Sequence, residues 1–246
     1  MIPKIIHYCW LSDDPVPSDL QKYMRTWKEK LPDYEFMKWD FNRFDKQSSK
    51  WVAQAFDNKK YAFAADYIRL YALYNYGGIY LDMDVEVLKS YDVFLSLSSM
   101  LCFEANGTTI EAATMGSEKG SAWVKKCLDY YENREFVQHD GSFSMIPIPQ
   151  IMRDILKEMP EVYKVDGLEE AMKHKGSLTI FPSDYFSPKS YATGELHITD
   201  NTYSIHQFSG TWLPWYVGME KGFCHFFHVK YRDVLNRMFF SKTYWK

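Results

Sequence analysis

The sequence predicts an α/β fold with a mostly parallel central sheet flanked by helices. Three observations carry that expectation. Strand-like and helix-like segments alternate through the first third of the chain. A Gly77-Gly78 pair separates a helical stretch from a short apolar one. That apolar stretch then ends in two acids, Asp82 and Asp84. Alternating β and α segments favour parallel strands joined by helical crossovers.

The elements follow in order. Lys4 to Cys9 reads as a buried strand, and Asp13 to Pro17 as a loop. Ser18 is placed to cap a helix running to about Lys30, with Leu20, Tyr23, Met24 and Trp27 at helical spacing. Tyr34 to Trp39 alternates as a second strand. Tyr61 to Tyr76, rich in Ala, Leu and Tyr, reads as a helix that Gly77 ends, because glycine tolerates the left-handed turn just past a helix. Ile79 to Val85 is the next strand, and Ser99 to Glu104 another. Ser121 to Glu132 forms a helix with Trp123, Cys127, Leu128 and Tyr131 on one stripe. Pro149 sits at the first position of a further helix ending near Met159. Leu178 to Pro182 and Tyr203 to Phe208 are late strands, separated by a long loop.

Asp82 and Asp84 carry the most chemistry. On a strand, residues two apart point the same way, so both carboxylates are expected on one side. Like charges that close raise each other's pKa, and a divalent cation resolves the conflict. Oxygen ligands suit Mn²⁺ or Mg²⁺, which share their shell with water and substrate phosphates. Ligands of open α/β sheets bind at the C-terminal strand edge, where these acids lie. Asp66 and Arg69 are three apart and share a helix face. A solvated ion pair is the alternative reading, yet the surrounding helix is apolar.

The run from Phe63 to Val85, containing Ala65-Asp66-Tyr67-Ile68-Arg69 and Gly77-Gly78-Ile79-Tyr80-Leu81-Asp82-Met83-Asp84, resembles the sugar-nucleotide segment of glycosyltransferases with a DxD sugar-binding region. That is glycosyltransferase family 32. It includes bacterial capsular-polysaccharide transferases and Och1-like mannosyltransferases, with the clostridial glucosylating toxins more distant. Ile2 to Trp10 resembles the family's opening strand, and Ile205 to Trp212 its closing I-H-H-x-x-x-S-W element. Gln207 stands where the second His belongs, and Thr211 where the Ser belongs. The resemblance covers residues 1 to about 215. It implies a GT-A-type nucleotide-sugar-binding fold over residues 1–218, followed by a C-terminal helical segment, 219–246.

The resemblance also implies roles. Trp10 would stack on the nucleotide base, and Tyr80 would touch the nucleotide. Asp66 and Arg69 would grip the transferred sugar and the diphosphate side. Asp82 would contact sugar, ribose or metal-bound water, and Asp84 would be the direct metal ligand, with His206 as a metal or phosphate contact. Thr211 and Trp212, both hydrogen-bond donors, would hold the leaving phosphate. The expected catalytic set is therefore Asp66, Arg69, Asp82, Thr211 and Trp212, with retention of anomeric configuration.

Composition bounds the rest. At 246 residues the chain is one domain or one with a small appendage. A net charge of −3 argues against broad nucleic-acid binding. The four cysteines, Cys9, Cys102, Cys127 and Cys224, show no paired spacing and read as reduced thiols. A strand so close to Met1 leaves no room for a leader, and no apolar run reaches the ~20 residues of a bilayer span. A cytoplasmic bacterial enzyme is expected. Glu220 to Lys246 holds six Lys/Arg against two acids, with aromatic and apolar residues at helical spacing. Such a helix suits peripheral attachment to the anionic inner face of a cell membrane, packing on the catalytic domain being the alternative.

The function expected is metal-dependent transfer of a hexose or N-acetylhexosamine from a nucleotide sugar, a UDP-sugar first, to a glycan or lipid-linked oligosaccharide in capsular or exopolysaccharide synthesis. Two other readings compete. A haloacid-dehalogenase-like phosphatase also places D-x-D after an apolar strand, but wants Thr or Val where this chain has Glu86. A non-catalytic carbohydrate-binding protein could keep the metal site.

Overall fold

The computed structural model describes residues 1–210. Nine strands and six helices alternate along them: β1 (Ile5–Cys9), α1 (Ser18–Lys30), β2 (Glu35–Trp39), α2 (Lys50–Asp57), α3 (Tyr61–Tyr76), β3 (Gly78–Leu81), β4 (Val85–Val87), β5 (Ser99–Cys102), β6 (Thr114–Ser117), α4 (Ala122–Tyr131), α5 (Ile148–Lys157), β7 (Val162–Lys164), α6 (Leu168–Lys173), β8 (Leu178–Phe181) and β9 (Ser204–His206). Seven strands form one sheet in the order β2-β1-β3-β6-β5-β8-β7. Only β6 runs against the others, so the sheet is mostly parallel, as expected. Strands β4 and β9 pair separately, antiparallel, with Val85 opposite His206.

Each face of the sheet is covered, which suits a parallel sheet. Along β3, Tyr80 joins the core under α2 to α5, whereas Ile79 and Leu81 join the core under α1, α6 and β4. The two-residue strand period thus feeds two cores from four residues. The turn from α3 into β3 needs both glycines. Gly77 has φ +67° and Gly78 φ +100°, and a Cβ on Gly78 would lie 2.6 Å from the Ile5 carbonyl oxygen. Only glycine lets β1 and β3 approach there.

Beneath that turn His7 is fully buried. Its Nε2 donates to the Gly77 carbonyl at 2.7 Å, and its Nδ1 accepts from the Trp39 indole at 3.1 Å. Only the neutral ring satisfies both bonds. Burial pushes its pKa down to about 4, against the partial support of the Gly77 carbonyl. A base whose folded pKa lies below its unfolded value stabilises the fold fully above the unfolded value, near 6.5, and loses that contribution as pH falls toward 4. The loss expected is about 3 kcal/mol. Denaturant melts at pH 7 and pH 4.5 should show it, and His7→Gln should flatten the difference. An unchanged pH slope in that variant would contradict the assignment.

Several expectations shift by local geometry. Ser18 is the first helical residue and caps nothing; Pro17 occupies the cap position without a side-chain bond. Helix α5 starts at Ile148, so Pro149 is its second residue. The predicted strand Ile79–Val85 divides. Its first half is β3 in the main sheet, residues 82–84 turn, and Val85 begins β4. The Val85 N–H donates to the Asp82 carbonyl at 3.0 Å and closes that turn. The strand predicted at Tyr203 to Phe208 stops at His206, and Phe208 has a φ of +53°. Helices α2 and α6 and strands β6 and β7 are additional to those read from the sequence. Among the described residues, no helix is long and apolar enough to cross a membrane.

Candidate functional site

The site sits at the C-terminal edge of β1 and β3. Helix α3 turns into β3 through Gly77, and its Asp66 and Arg69 reach Asp82 just past the end of β3. Asp66 and Arg69 are buried, contrary to the solvated alternative. The Arg69 Nη2 lies 3.1 Å from Asp66 Oδ1 and 3.4 Å from Asp82 Oδ1. Its Nη1 donates to the Ala112 carbonyl at 2.9 Å. The guanidinium also lies over the Tyr80 ring, 4.7 Å from its centroid, a favourable cation–π placement. Burial favours loss of the arginine's charge, yet Asp82, Tyr80 and Asp66 outweigh it and raise its pKa. Burial and the nearby Asp82 together push Asp66 up to about 6 despite Arg69.

Asp82 follows β3. The Tyr80 hydroxyl donates to its Oδ1 at 2.9 Å, and its N–H donates to the Ala113 carbonyl at 2.8 Å. Tyr80 and Asp82 therefore keep the strand alternation. Asp84 does not: it lies beyond the turn, where its Oδ2 accepts the Ser209 N–H at 2.7 Å and its Oδ1 lies 3.5 Å from His206 Nε2. The two acids converge through a turn rather than along a strand. Asp82, Asp84 and His206 offer one ligand atom each, all within 4.8 Å of one another.

These three residues fit a divalent cation. Two carboxylates and an imidazole suit Mn²⁺ or Mg²⁺, with remaining positions open to water or phosphate. The imidazole is held from behind: its Nδ1 lies 3.2 Å from Glu111 Oε1. Burial would lower the His206 pKa, but Glu111 and Asp84 override it and push it up to about 9. Glu104 is half-buried nearby, accepts from the Thr109 hydroxyl, and is pushed up to about 7 by desolvation and by Glu111.

Gln207, standing where a second His was expected, turns away from this trio. Its Nε2 donates to Glu86 at 2.8 Å, and its Oε1 accepts from Lys189 at 2.9 Å. Trp10 follows the end of β1, partly buried, with its indole donating to the Asp14 carbonyl at 2.7 Å. Trp10, Tyr80, Asp66, Arg69, Asp82, Asp84 and His206 all reach one edge. Thr211, Trp212, Cys224 and the segment 219–246 lie outside the described residues. Glu104, Glu111 and Lys189 are site neighbours with no signal in the sequence; each stands alone among unremarkable residues, and only the fold brings it to the acids.

Residues 17–101 match a protein family described as a glycosyltransferase sugar-binding region containing a DXD motif. That span runs from the start of α1 into β5 and includes Asp66, Arg69, Asp82 and Asp84. The chain is 31% identical over 196 residues to mannosyl phosphorylinositol ceramide synthase SUR1 of Saccharomyces cerevisiae, covering 78% of this chain and 49% of the yeast protein. It is 34% identical over 127 residues to inositol phosphoceramide mannosyltransferase 3 of Schizosaccharomyces pombe, covering 50% of this chain and 35% of that protein. The chain thus spans half or less of these relatives. Among solved structures, the PaToxG glycosyltransferase aligns over 65% of this chain and 70% of its own, at 19% identity and a TM-score of 0.46, too distant to bear on the chemistry.

Proposed function

We propose that the chain, whose residues 17–101 match the glycosyltransferase sugar-binding region containing a DXD motif, transfers a hexose from a nucleotide sugar to a hydroxyl acceptor with the help of a divalent cation. One observation carries the reading: Asp82, Asp84 and His206 converge within ligand distance beside the buried Asp66–Arg69 pair. The first set would hold a cation that offsets a diphosphate's charge. The second would recognise a sugar's hydroxyls.

The chemistry then divides among the residues. A Mn²⁺ or Mg²⁺, when bound, would supply Lewis-acid stabilisation of charge on a diphosphate. Asp84 and His206 would hold it, with Asp82 contributing directly or through water. Arg69, fixed by Asp66, Asp82 and the Ala112 carbonyl, would orient the donor. Tyr80 fixes Asp82 by its hydrogen bond. Thr211 and Trp212, in this reading, donate hydrogen bonds to the leaving phosphate. The anomeric carbon–oxygen bond to phosphate breaks, the acceptor oxygen bonds to that carbon, and the acceptor's proton is lost. Retention follows from the resemblance, and the anomeric proton of the product, read by NMR, decides it.

The named mannosyl-transferring relatives support mannose as the sugar and a polyol head group on a lipid as the acceptor. They offer no support for a capsular or exopolysaccharide setting. The phosphatase alternative would need Asp82 free as a nucleophile, whereas Tyr80 and Arg69 engage both of its oxygens. Calorimetry with UDP and GDP, with and without Mn²⁺, tests the donor site. Nucleoside diphosphate should bind only with Mn²⁺, and Trp10→Ala should weaken binding by about 1–3 kcal/mol, the worth of one stacked base. Preference for UDP would uphold the uridine expectation; preference for GDP would assign a mannosyl donor. Binding of neither would contradict the proposal.

A further inference from the structure

Glu111 is 1% exposed and lies in the stretch between β5 and β6. A carboxylate so deep costs several kcal/mol to desolvate unless it is well paired. Its Oε1 accepts the Ala113 N–H at 2.7 Å, and its two oxygens lie 3.2 and 3.3 Å from His206 Nδ1. The next two residues reach the rest of the site. The Ala112 carbonyl accepts from Arg69 at 2.9 Å, and the Ala113 carbonyl accepts the Asp82 N–H at 2.8 Å. One three-residue segment therefore touches His206, Arg69 and Asp82, which come from three separate parts of the chain.

We propose that Glu111 is the positioning residue of the cation site, fixing the His206 ring so that Nε2 faces Asp84 and tying that ring to the backbone that sets Asp82. The inference rests on the metal-binding reading given above. A neutral glutamine could accept from the Ala113 N–H equally well, so backbone bonding alone does not call for a charge here. Charge is called for when the imidazole must serve a cation on its far side. A carboxylate behind a ligating histidine fixes the ring's orientation and raises its basicity as a donor, and losing such a partner weakens metal binding 10–100-fold. The Ala113 bond gives Glu111 its own anchor, so it does not depend on His206 for its place.

Titration of the full chain with Mn²⁺, followed by paramagnetic resonance or calorimetry, tests this without any turnover. Glu111→Gln should weaken Mn²⁺ binding about 10–100-fold. His206→Ala should weaken it at least as much. In the His206→Ala background, Glu111→Gln should change affinity by no more than about twofold, because two residues acting through one contact do not add. Wild-type affinity in Glu111→Gln would overturn the proposal. So would a loss of equal factor in both backgrounds, which marks a merely structural role. Should Glu111→Gln fail to fold, Glu111→Asp carries the same cycle, since it keeps the charge and withdraws it by one methylene. Asp84→Ala separates the layers. If it weakens Mn²⁺ binding while Glu111→Gln does not, Glu111 alone is misassigned. If Asp84→Ala binds as wild type does, the metal reading and this inference both fall.

Discussion

Arg69→Ala is expected to destabilise the domain by about 3–5 kcal/mol, the cost of stripping the partner from a buried charge. Asp66 and Arg69 are each 6% exposed. Removing the guanidinium leaves Asp66 buried with Asp82 as its nearest charge, and empties the space over the Tyr80 ring. The Ala112 carbonyl also loses its donor. Against a typical total of about 5–15 kcal/mol, such a loss shows directly in a denaturant melt. The double replacement Asp66→Leu with Arg69→Met should recover most of the stability, since apolar residues of similar volume can replace a buried pair at little cost. It should not recover activity. A single Arg69→Ala variant as stable as wild type would mean the pair is solvated.

Much of this arrangement was legible in the residues, and the limits have physical causes. Helix α3 was read to the residue because its apolar run is long and two glycines end it. Strands β1, β2, β5 and β8 were read within one or two residues at most bounds. Helix α2 is additional to the sequence reading, although its cap is local: the Ser49 hydroxyl accepts the Val52 N–H at 3.3 Å. Strand β6 is only four residues and contains Gly116, where a Cβ would come within 2.8 Å of Met100. A glycine in so short a run reads as a turn. The break after Leu81 had no glycine or proline to mark it, since Val85 and Asp82 close the turn by a backbone bond.

At the site, the motif residues were legible because they recur in a recognisable order. Their convergence has a different cause from the strand alternation that the sequence suggests. Strand alternation brings Tyr80 and Asp82 together, but Asp84 reaches the same point around a turn and from the side of β9. Glu111 was not legible at all. Its partner His206 lies 95 positions away, and no spacing rule connects them. Long-range pairing of this kind exists only once β4 and β9 have joined.

The proposed cation at Asp84 is tested most directly by release of nucleoside diphosphate from a nucleotide sugar. Wild-type protein, given UDP- and GDP-hexoses with Mn²⁺ and a hydroxyl acceptor, should release diphosphate from one of them. EDTA should stop the release and added Mn²⁺ should restore it. Asp84→Ala, shown folded by circular dichroism, should lose about a thousand-fold in rate, equivalent to ~4 kcal/mol of transition-state stabilisation. The loss is expected to be that large because Asp84 would be the ligand that reaches the cation from the turn, while Asp82 is held by Tyr80 and Arg69 and His206 by Glu111. Release that continues undiminished in EDTA, or in the folded Asp84→Ala variant, would contradict the account.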